Sequence, residues 1–356
     1  MGKSQEYYTE SRFQEFYRKI VPRPLRHIIG TLRTSAVIDL GGGAKNAVFL
    51  AGGMRSGSGW VANIINYDNS YRYMYEPFTP ERTPSCKPFT KTLYLRPENR
   101  DPAYLEPAKA ILGGTVRNSP EINIFNRRLI SSKRLIKEVR ANLWLKWLRI
   151  NFPATPIVLL LRHPCAMVKS RLKRPTEKRQ LLFTEFTEES DLIHDHLTPY
   201  WAEIEDAKTR SEFVQGIFSW CIQQFVPLQQ CAPSEVHVVF YEHFAQRPEE
   251  EIGALFAYLG KNFDDRVFDA IKRPSEVTSD YSAIVTGKNV VDSWRDEVTQ
   301  EELRTAIRIL EIFGLNEIYS EDSMPDTRGV SRFLQRHSTS VARVKYEPAN
   351  QSQERN

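Results

Sequence analysis

Short apolar runs alternate with helix-spaced apolar residues through most of the chain. The apolar runs predict buried strands at 47–51, 71–75, 134–139, 157–161 and 236–241. Apolar residues at helical spacing predict helices at 11–20, 60–65, 141–151, 164–172, 201–230, 252–259 and 300–313. Continuous apolar strands that alternate with helices are typical of a parallel sheet covered on both faces. The sequence therefore predicts an α/β fold of three layers, with a central, mainly parallel β-sheet flanked by helices.

Three stretches lack this regular pattern. Residues 78–125 are rich in Pro, Thr, Asn and Arg, and we expect them to form an irregular excursion from the core. Residues 173–196 are polar, basic first and acidic later, and we expect a mobile loop. The polar residues beyond 331 are expected to fray.

The order of the elements divides the chain into three parts. Residues 1–45 are interpreted as an N-terminal extension, residues 46–315 as one domain, and residues 316–356 as a C-terminal segment that is partly flexible. The whole chain has 356 residues, of which 41% are hydrophobic and 26% charged, values that argue against a disordered or fibrous protein.

No apolar run approaches the roughly 20 residues that a membrane-spanning helix needs, and the polar N-terminus lacks the pattern of a signal peptide. We therefore expect a cytoplasmic location without a transmembrane segment, and leave peripheral contact with a membrane open. The four cysteines are scattered without C-x-x-C spacing, which argues against a zinc site or a disulfide framework. The oligomeric state is not indicated by the sequence.

Positive charge is concentrated between residues 127 and 179, where 15 Lys and Arg residues stand against two Glu. Such an excess indicates an anionic ligand or partner, although a solvated basic face has the same composition. We predict no nucleic-acid partner. The basic region flanks the strand at 157–161 and follows a glycine-rich loop, and this combination favours a ligand.

The glycine-rich loop, residues 52–59, lies between a predicted strand and a predicted helix. Backbone N–H groups and the helix N-terminus converge in such a loop and suit a phosphate group. Gly52 and Gly57 have the spacing of the glycines in the nucleoside-triphosphatase motif, but Ser58 and Gly59 occupy the positions of its Lys and Ser or Thr.

A magnesium-dependent triphosphatase also needs a carboxylate at a neighbouring strand end, and Arg162 stands there instead. Glu242 after the strand at 236–241 keeps a displaced metal carboxylate open. Binding phosphate without a metal requires fixed cations, which Arg55 in the loop and Arg162 are placed to supply. We therefore predict a P-loop-like nucleotide site without a metal.

Seven short segments along the chain resemble the P-loop-like sulfotransferases, and within them the carbohydrate sulfotransferases. The segment 55–60 is similar to their 5′-phosphosulfate loop, and the segment 160–171 to their 3′-phosphate segment, with Ser170 eight residues after Arg162. The other similar segments are Tyr75-Glu76-Pro77, Lys137-x-x-Arg140, Tyr241-Glu242-His243-Phe244, Gly287-Lys288 and Ser293-Trp294-Arg295. The resemblance covers residues 47–77 and 133–313.

The resemblance implies a transfer of a sulfuryl group from 3′-phosphoadenosine 5′-phosphosulfate (PAPS) to a hydroxyl or amine of a carbohydrate-like acceptor, including a glycolipid. It implies that Glu76 is the general base and that Arg55 neutralises charge on the leaving bisphosphate. The implied donor-binding residues are Arg55, Ser56, Gly57, Ser58, Gly59, Trp60, Arg162, Ser170, Tyr241, Lys288 and Arg295. Residues 78–132 and 173–198 would contact the acceptor.

Three residues depart from the pattern of these sulfotransferases: Gly59 replaces Ser or Thr, and His163 and His243 each replace an aspartate. Other readings of single residues stay open, since Glu76 is also suited to a surface ion pair. Two alternative functions remain at this point: a P-loop kinase or triphosphatase without the usual lysine, and a nucleotide-binding module without catalysis.

Overall fold

The computed structural model describes residues 37–116, 119–176, 179, 181–275, 287 and 289–344, with side chains of the last helix described to residue 336. The described strands are β1 (Ile38–Asp39), β2 (Ala47–Gly52), β3 (Tyr71–Tyr75), β4 (Ile130–Ser131), β5 (Lys133–Glu138), β6 (Ile157–Leu161) and β7 (His237–Phe240). Five of them form one parallel sheet in the order β3-β5-β2-β6-β7. The other two, β1 and β4, pair in parallel beside it.

Strand β2 shows why the sheet is covered on both faces. Side chains alternate between the faces of a strand, and in β2 they are apolar throughout. Phe49 and Ala51 belong to one hydrophobic core, whereas Val48 and Leu50 belong to the other. The predicted α/β fold, with a parallel sheet flanked by helices, is confirmed.

Helices cover both faces of the sheet. They are α1 (Ser58–Ile65), α2 (Pro102–Gly113), α3 (Leu145–Asn151), α4 (Pro164–Leu172), α5 (Phe183–Phe186), α6 (Ser190–Leu192), α7 (Trp201–Ala207), α8 (Glu212–Gln230), α9 (Tyr241–Gln246), α10 (Pro248–Tyr258), α11 (Arg266–Ile271), α12 (Gln300–Ile312) and α13 (Thr327–Val344). None of these described helices is both long and apolar enough to cross a bilayer.

The expected irregular excursion and the expected mobile loop both contain helices. Helix α2 lies within 78–125, where the Asp101 side chain accepts a hydrogen bond from Ala103 N at 2.8 Å and caps the helix. The expectation of a loop at 173–196 is wrong for its second half, which contains α5 and α6. The few apolar side chains there, including Phe183, Phe186 and Leu192, are buried in the core.

Three predicted boundaries also differ from the structure. The predicted helix at 201–230 is two helices, because Ser211 caps a new one by accepting from Val214 N. The strand at 236–241 ends at Phe240, and Tyr241 begins α9. Residues beyond 331 do not simply fray, since α13 extends to Val344 and buries Phe333 and Leu334. The division of the chain at residues 45 and 315 stays a prediction.

Candidate active site

The loop between β2 and α1, which is predicted to be an anion cradle, has a tightly turned backbone. Arg55 and Gly57 have left-handed backbone angles, with φ of 72° and 92°. A Cβ at position 57 would lie 2.5 Å from the Tyr241 ring, so only glycine fits there. The Ser56 hydroxyl is fully buried and has no hydrogen-bond partner among the described residues. A buried polar atom without a partner suits a bound ligand.

Three elements bring the proposed donor-binding residues together. Arg55 Nε, in the loop, donates to Ser170 Oγ on α4 at 2.9 Å. Arg162 is the first residue after β6, and its Nη1 donates to Arg55 O at 3.1 Å. The Arg162 guanidinium lies 3.9 Å from the centre of the Tyr241 ring, whose other neighbour is Trp60 at 5.0 Å. These residues are far apart in the sequence and meet because the parallel strands end at the same edge of the sheet.

Two arginines of the site each have one buried nitrogen without a protein partner in the described part of the chain. Arg162 Nε is buried and bonds no described residue. Arg171 was not predicted as a site residue; its Nε and Nη2 donate to Met54 O at 3.3 and 3.2 Å, and its Nη1 is buried without a described partner. Burial and the neighbouring Arg55 lower the pKa of Arg171 to about 10. Only its place beside Ser170 in the basic region could have indicated it.

Glu76 follows β3 directly, with φ of 46°, and its carboxylate is held by two cations. Lys137 Nζ lies 2.5 Å from Glu76 Oε1, and Arg82 Nη1 lies 2.9 Å from Oε2. Burial raises the pKa of Glu76, but Lys137 and Arg82 outweigh it, so that the pKa is below its ordinary value. Glu76 is therefore ionised at neutral pH. Arg82 lies in the stretch without periodicity, where no sequence pattern indicates its role.

The turn after Glu76 is fixed by a second carboxylate. Glu138 is fully buried, and its two oxygens accept from Phe78 N at 3.1 Å and Val139 N at 2.9 Å. Burial and the nearby Glu76 raise the pKa of Glu138 to about 7. These contacts hold the backbone on which Glu76 is presented.

A cavity of about 430 Å³ begins at Met54, next to Arg55, and extends past Glu76. Most of its lining is polar or charged: Met54, Tyr75, Glu76, Thr79, Glu81, Arg82, Val139, Arg140 and Arg174. Arg140 Nε is buried without a partner among the described residues. The cavity thus extends from the residue before Arg55 to the carboxylate at the end of β3.

A family model of the sulfotransferase domain matches residues 45–311. The chain belongs to this sulfotransferase family. Membership in this family identifies the protein as an enzyme that transfers a sulfuryl group from PAPS. The resemblance to the sulfotransferases and the predicted sulfuryl transfer from PAPS are thereby confirmed. A search of curated protein sequences returned no match.

Solved structures similar to the sulfotransferase are distant from it. The sulfotransferase domain from the Synechococcus PCC 7002 olefin synthase is 16% identical, with a TM-score of 0.41, and the match covers 75% of this chain and 94% of that one. Mouse sulfotransferase SULT7A1 complexed with PAP is 13% identical, with a TM-score of 0.42, covering 88% and 95%. Retinol dehydratase in complex with androsterone and the inactive cofactor PAP is 14% identical, with a TM-score of 0.38, covering 76% and 80%.

The remaining predicted residues of the sulfotransferase are less directly placed at the cradle. Ser58 and Gly59 lie buried in the first turn of α1. Arg295 Nε donates to Ser323 Oγ at 2.9 Å, and its neighbour Trp294 stacks on His163 at 4.2 Å. Lys288 lies outside the described residues.

The two histidines that depart from the family pattern are buried. Burial, followed by Arg295 and Arg162, lowers the pKa of His163 to about 3, although the bond to Ser320 O opposes this. His243 Nδ1 lies 2.8 Å from Glu251 Oε1, and this contact anchors the turn that an aspartate would otherwise hold. Within the described part of the chain no three His, Cys, Asp or Glu side chains are grouped as a metal site.

Proposed function

We propose that the sulfotransferase transfers the sulfuryl group of PAPS to a hydroxyl of a carbohydrate-like acceptor, with Glu76 as general base. The observation that carries the proposal is the polar cavity that connects Met54, beside Arg55, with the Glu76 carboxylate. A donor held by the cradle would present its sulfuryl group towards this cavity. An acceptor in the cavity would meet the sulfuryl group and the base together.

The donor side of the proposal rests on groups that fit a bisphosphate nucleotide. PAPS, when bound, supplies an activated sulfuryl group on a good leaving group. The loop amides and the buried Ser56 hydroxyl would bind the 5′-phosphosulfate, and Arg162 with Ser170 would bind the 3′-phosphate. Arg55 would neutralise the charge that develops on the bridging oxygen.

On the acceptor side, Glu76 would take the proton of the attacking hydroxyl. The ion pairs with Lys137 and Arg82 keep its carboxylate ionised, so that it is ready to accept a proton at neutral pH. The same cations weaken it as a base. Sulfuryl transfer through a loose transition state depends more on positioning and charge stabilisation than on a strong base. Lys137 and Arg82 would provide both the positioning and the charge stabilisation.

The lining of the cavity supports a polar acceptor. Its volume of about 430 Å³ suits a sugar-sized group, and three arginines and two glutamates offer hydrogen bonds to hydroxyls. An apolar acceptor such as a steroid would bury these charges without partners, which is unfavourable. The sugar units of a polysaccharide and the sugar headgroup of a glycolipid both present such hydroxyls.

The test is transfer of radiolabelled sulfate from PAPS to cell-envelope fractions, separated into polysaccharide, glycolipid, protein and small apolar molecules. We expect label in a carbohydrate fraction with the unsubstituted protein and little with Glu76→Gln. Label only in small apolar metabolites would contradict the carbohydrate acceptor and leave the donor assignment intact.

A further inference from the structure

The peptide that joins Arg162 to His163 is held on both sides. Its carbonyl oxygen accepts from Trp220 Nε1 at 3.0 Å, and its N–H donates to Glu242 Oε1 at 2.8 Å. Strand β6 ends at Leu161, so this peptide lies just beyond the sheet and is not fixed by strand pairing. The two bonds therefore constrain the direction in which the Arg162 side chain leaves the backbone.

Glu242 is held in turn by Tyr319, whose hydroxyl donates to Glu242 Oε2 at 3.0 Å. Tyr319, Glu242 and His163 are 0%, 1% and 0% exposed, so water does not replace a contact that is lost. The Tyr319 ring also lies edge-on to His163 at 5.3 Å and to Trp220 at 5.8 Å. One side chain thus touches each group that holds the peptide.

The segment that follows Tyr319 extends the same arrangement. Ser320 O lies 3.3 Å from His163 Nε2, and Ser323 Oγ accepts from Arg295 Nε at 2.9 Å. The family match ends at residue 311, so the segment 319–323 lies outside the matched part of the chain. Residues beyond the family domain therefore contact the side chains of His163 and Glu242, next to the peptide that follows Arg162.

We propose that Tyr319 is a positioning residue for recognition of the 3′-phosphate of the donor. Through Glu242, its hydroxyl fixes the peptide after Arg162 and so directs the Arg162 guanidinium. The proposal rests on the assignment of Arg162 to the 3′-phosphate. One nitrogen of the Arg162 guanidinium is available to a ligand, because Nε is buried without a partner in the described part of the chain. A small rotation of the peptide would move this group away from its ligand.

The experiment measures affinity for 3′,5′-bisphosphoadenosine (PAP) and for 5′-AMP by calorimetry on the full chain, with EDTA present. The ratio of the two affinities reports the 3′-phosphate alone. Tyr319→Phe is expected to lower this ratio by up to about tenfold, because a misdirected Arg162 weakens one charge-assisted hydrogen bond to the 3′-phosphate. Affinity for 5′-AMP is expected to stay the same.

Tyr258→Phe is the matched control. The Tyr258 hydroxyl accepts from Ile157 N and donates to Ile157 O, both at 3.1 Å, at the opposite end of the same strand. We expect this variant to lose thermal stability like Tyr319→Phe and to keep the affinity ratio. An unchanged ratio in Tyr319→Phe, or an equal fall in both variants, would overturn the proposal.

Two further outcomes distinguish this proposal from the proposed function. In a Glu242→Gln background, Tyr319→Phe should lower the ratio much less, because residues of one hydrogen-bonded chain are not additive; full additivity would show that Tyr319 does not act through Glu242. Equal affinity of the unsubstituted protein for PAP and 5′-AMP would overturn the 3′-phosphate assignment and the role of Tyr319 with it.

Discussion

Arg55 Nε donates a hydrogen bond to Ser170 Oγ over 2.9 Å, and this contact joins the glycine loop to helix α4. The two residues are assigned to opposite ends of the donor, the sulfuryl end and the 3′-phosphate. They meet because β2 and β6, which lead into the loop and the helix, are neighbours in the sheet. A substitution of either residue should therefore alter the position of the other side chain.

Ser170→Ala is expected to weaken PAP binding by about tenfold or more, because it removes a hydroxyl contact to a charged phosphate and the hydrogen bond to Arg55 Nε. Binding of 5′-AMP should fall much less. Calorimetry with both nucleotides measures the difference. Equal losses would show that Ser170 acts only by orienting Arg55.

Glu76→Gln should lower kcat by about 100-fold or more and leave PAP affinity nearly unchanged, because it keeps the shape of the base but not its proton affinity. Arg55→Ala should lower both kcat and PAP affinity, because the Arg55 charge contacts the donor in the ground state and in the transition state. Turnover on the identified acceptor, together with PAP titrations, separates the two effects. Near-normal turnover of Glu76→Gln would contradict its role as base. The buried His163 and His243 have contacts that make them poor substitutes.

Arg82→Gln is expected to shift the acidic limb of the kcat/KM profile to higher pH. The base must be ionised, so activity falls as the pH drops through the pKa of Glu76, and Arg82 is one of two cations that hold this pKa below its ordinary value. Removing the Arg82 cation raises the pKa of Glu76, so the acidic limb of the profile moves to higher pH. Lys91→Gln, a substitution of an exposed lysine outside the cavity lining, is the control for loss of one positive charge. A limb that does not move in Arg82→Gln would mean that another group sets it.

Gly57→Ala should destabilise the protein by about 1–3 kcal/mol, because φ of 92° is strained for alanine and the new Cβ would press on the Tyr241 ring. PAP binding should fall as well, since Tyr241 lies under Arg162. Thermal unfolding and PAP titration measure the two effects. Gly253→Ala, at an open position within α10, is a matched control that should raise stability slightly, by about 1 kcal/mol or less, and leave PAP binding unchanged. Normal PAP affinity in Gly57→Ala would contradict the assignment of the loop.

What the sequence predicted well is local. The apolar run of β2, the glycines after it and the eight-residue spacing from Arg162 to Ser170 are read from neighbouring residues. In the structure Arg55, in the glycine loop, contacts both Arg162 and Ser170. Arg82 and Arg171 were missed because their roles depend on which distant residue they meet. The helices of 173–196 were missed because a few buried aromatic side chains, rather than a regular pattern, hold them in place.

The order of the strands separates the two halves of the proposed reaction. Glu76 follows the edge strand β3, whereas Arg162 follows β6, three strands away, which corresponds to about 14 Å across the sheet. The residue proposed as base and the arginine assigned to the 3′-phosphate are therefore carried by different strands of one sheet. If residues 78–116 contact the acceptor as predicted, substitutions on their cavity side offer a route to changing the acceptor while the strand that leads into Arg162 is kept.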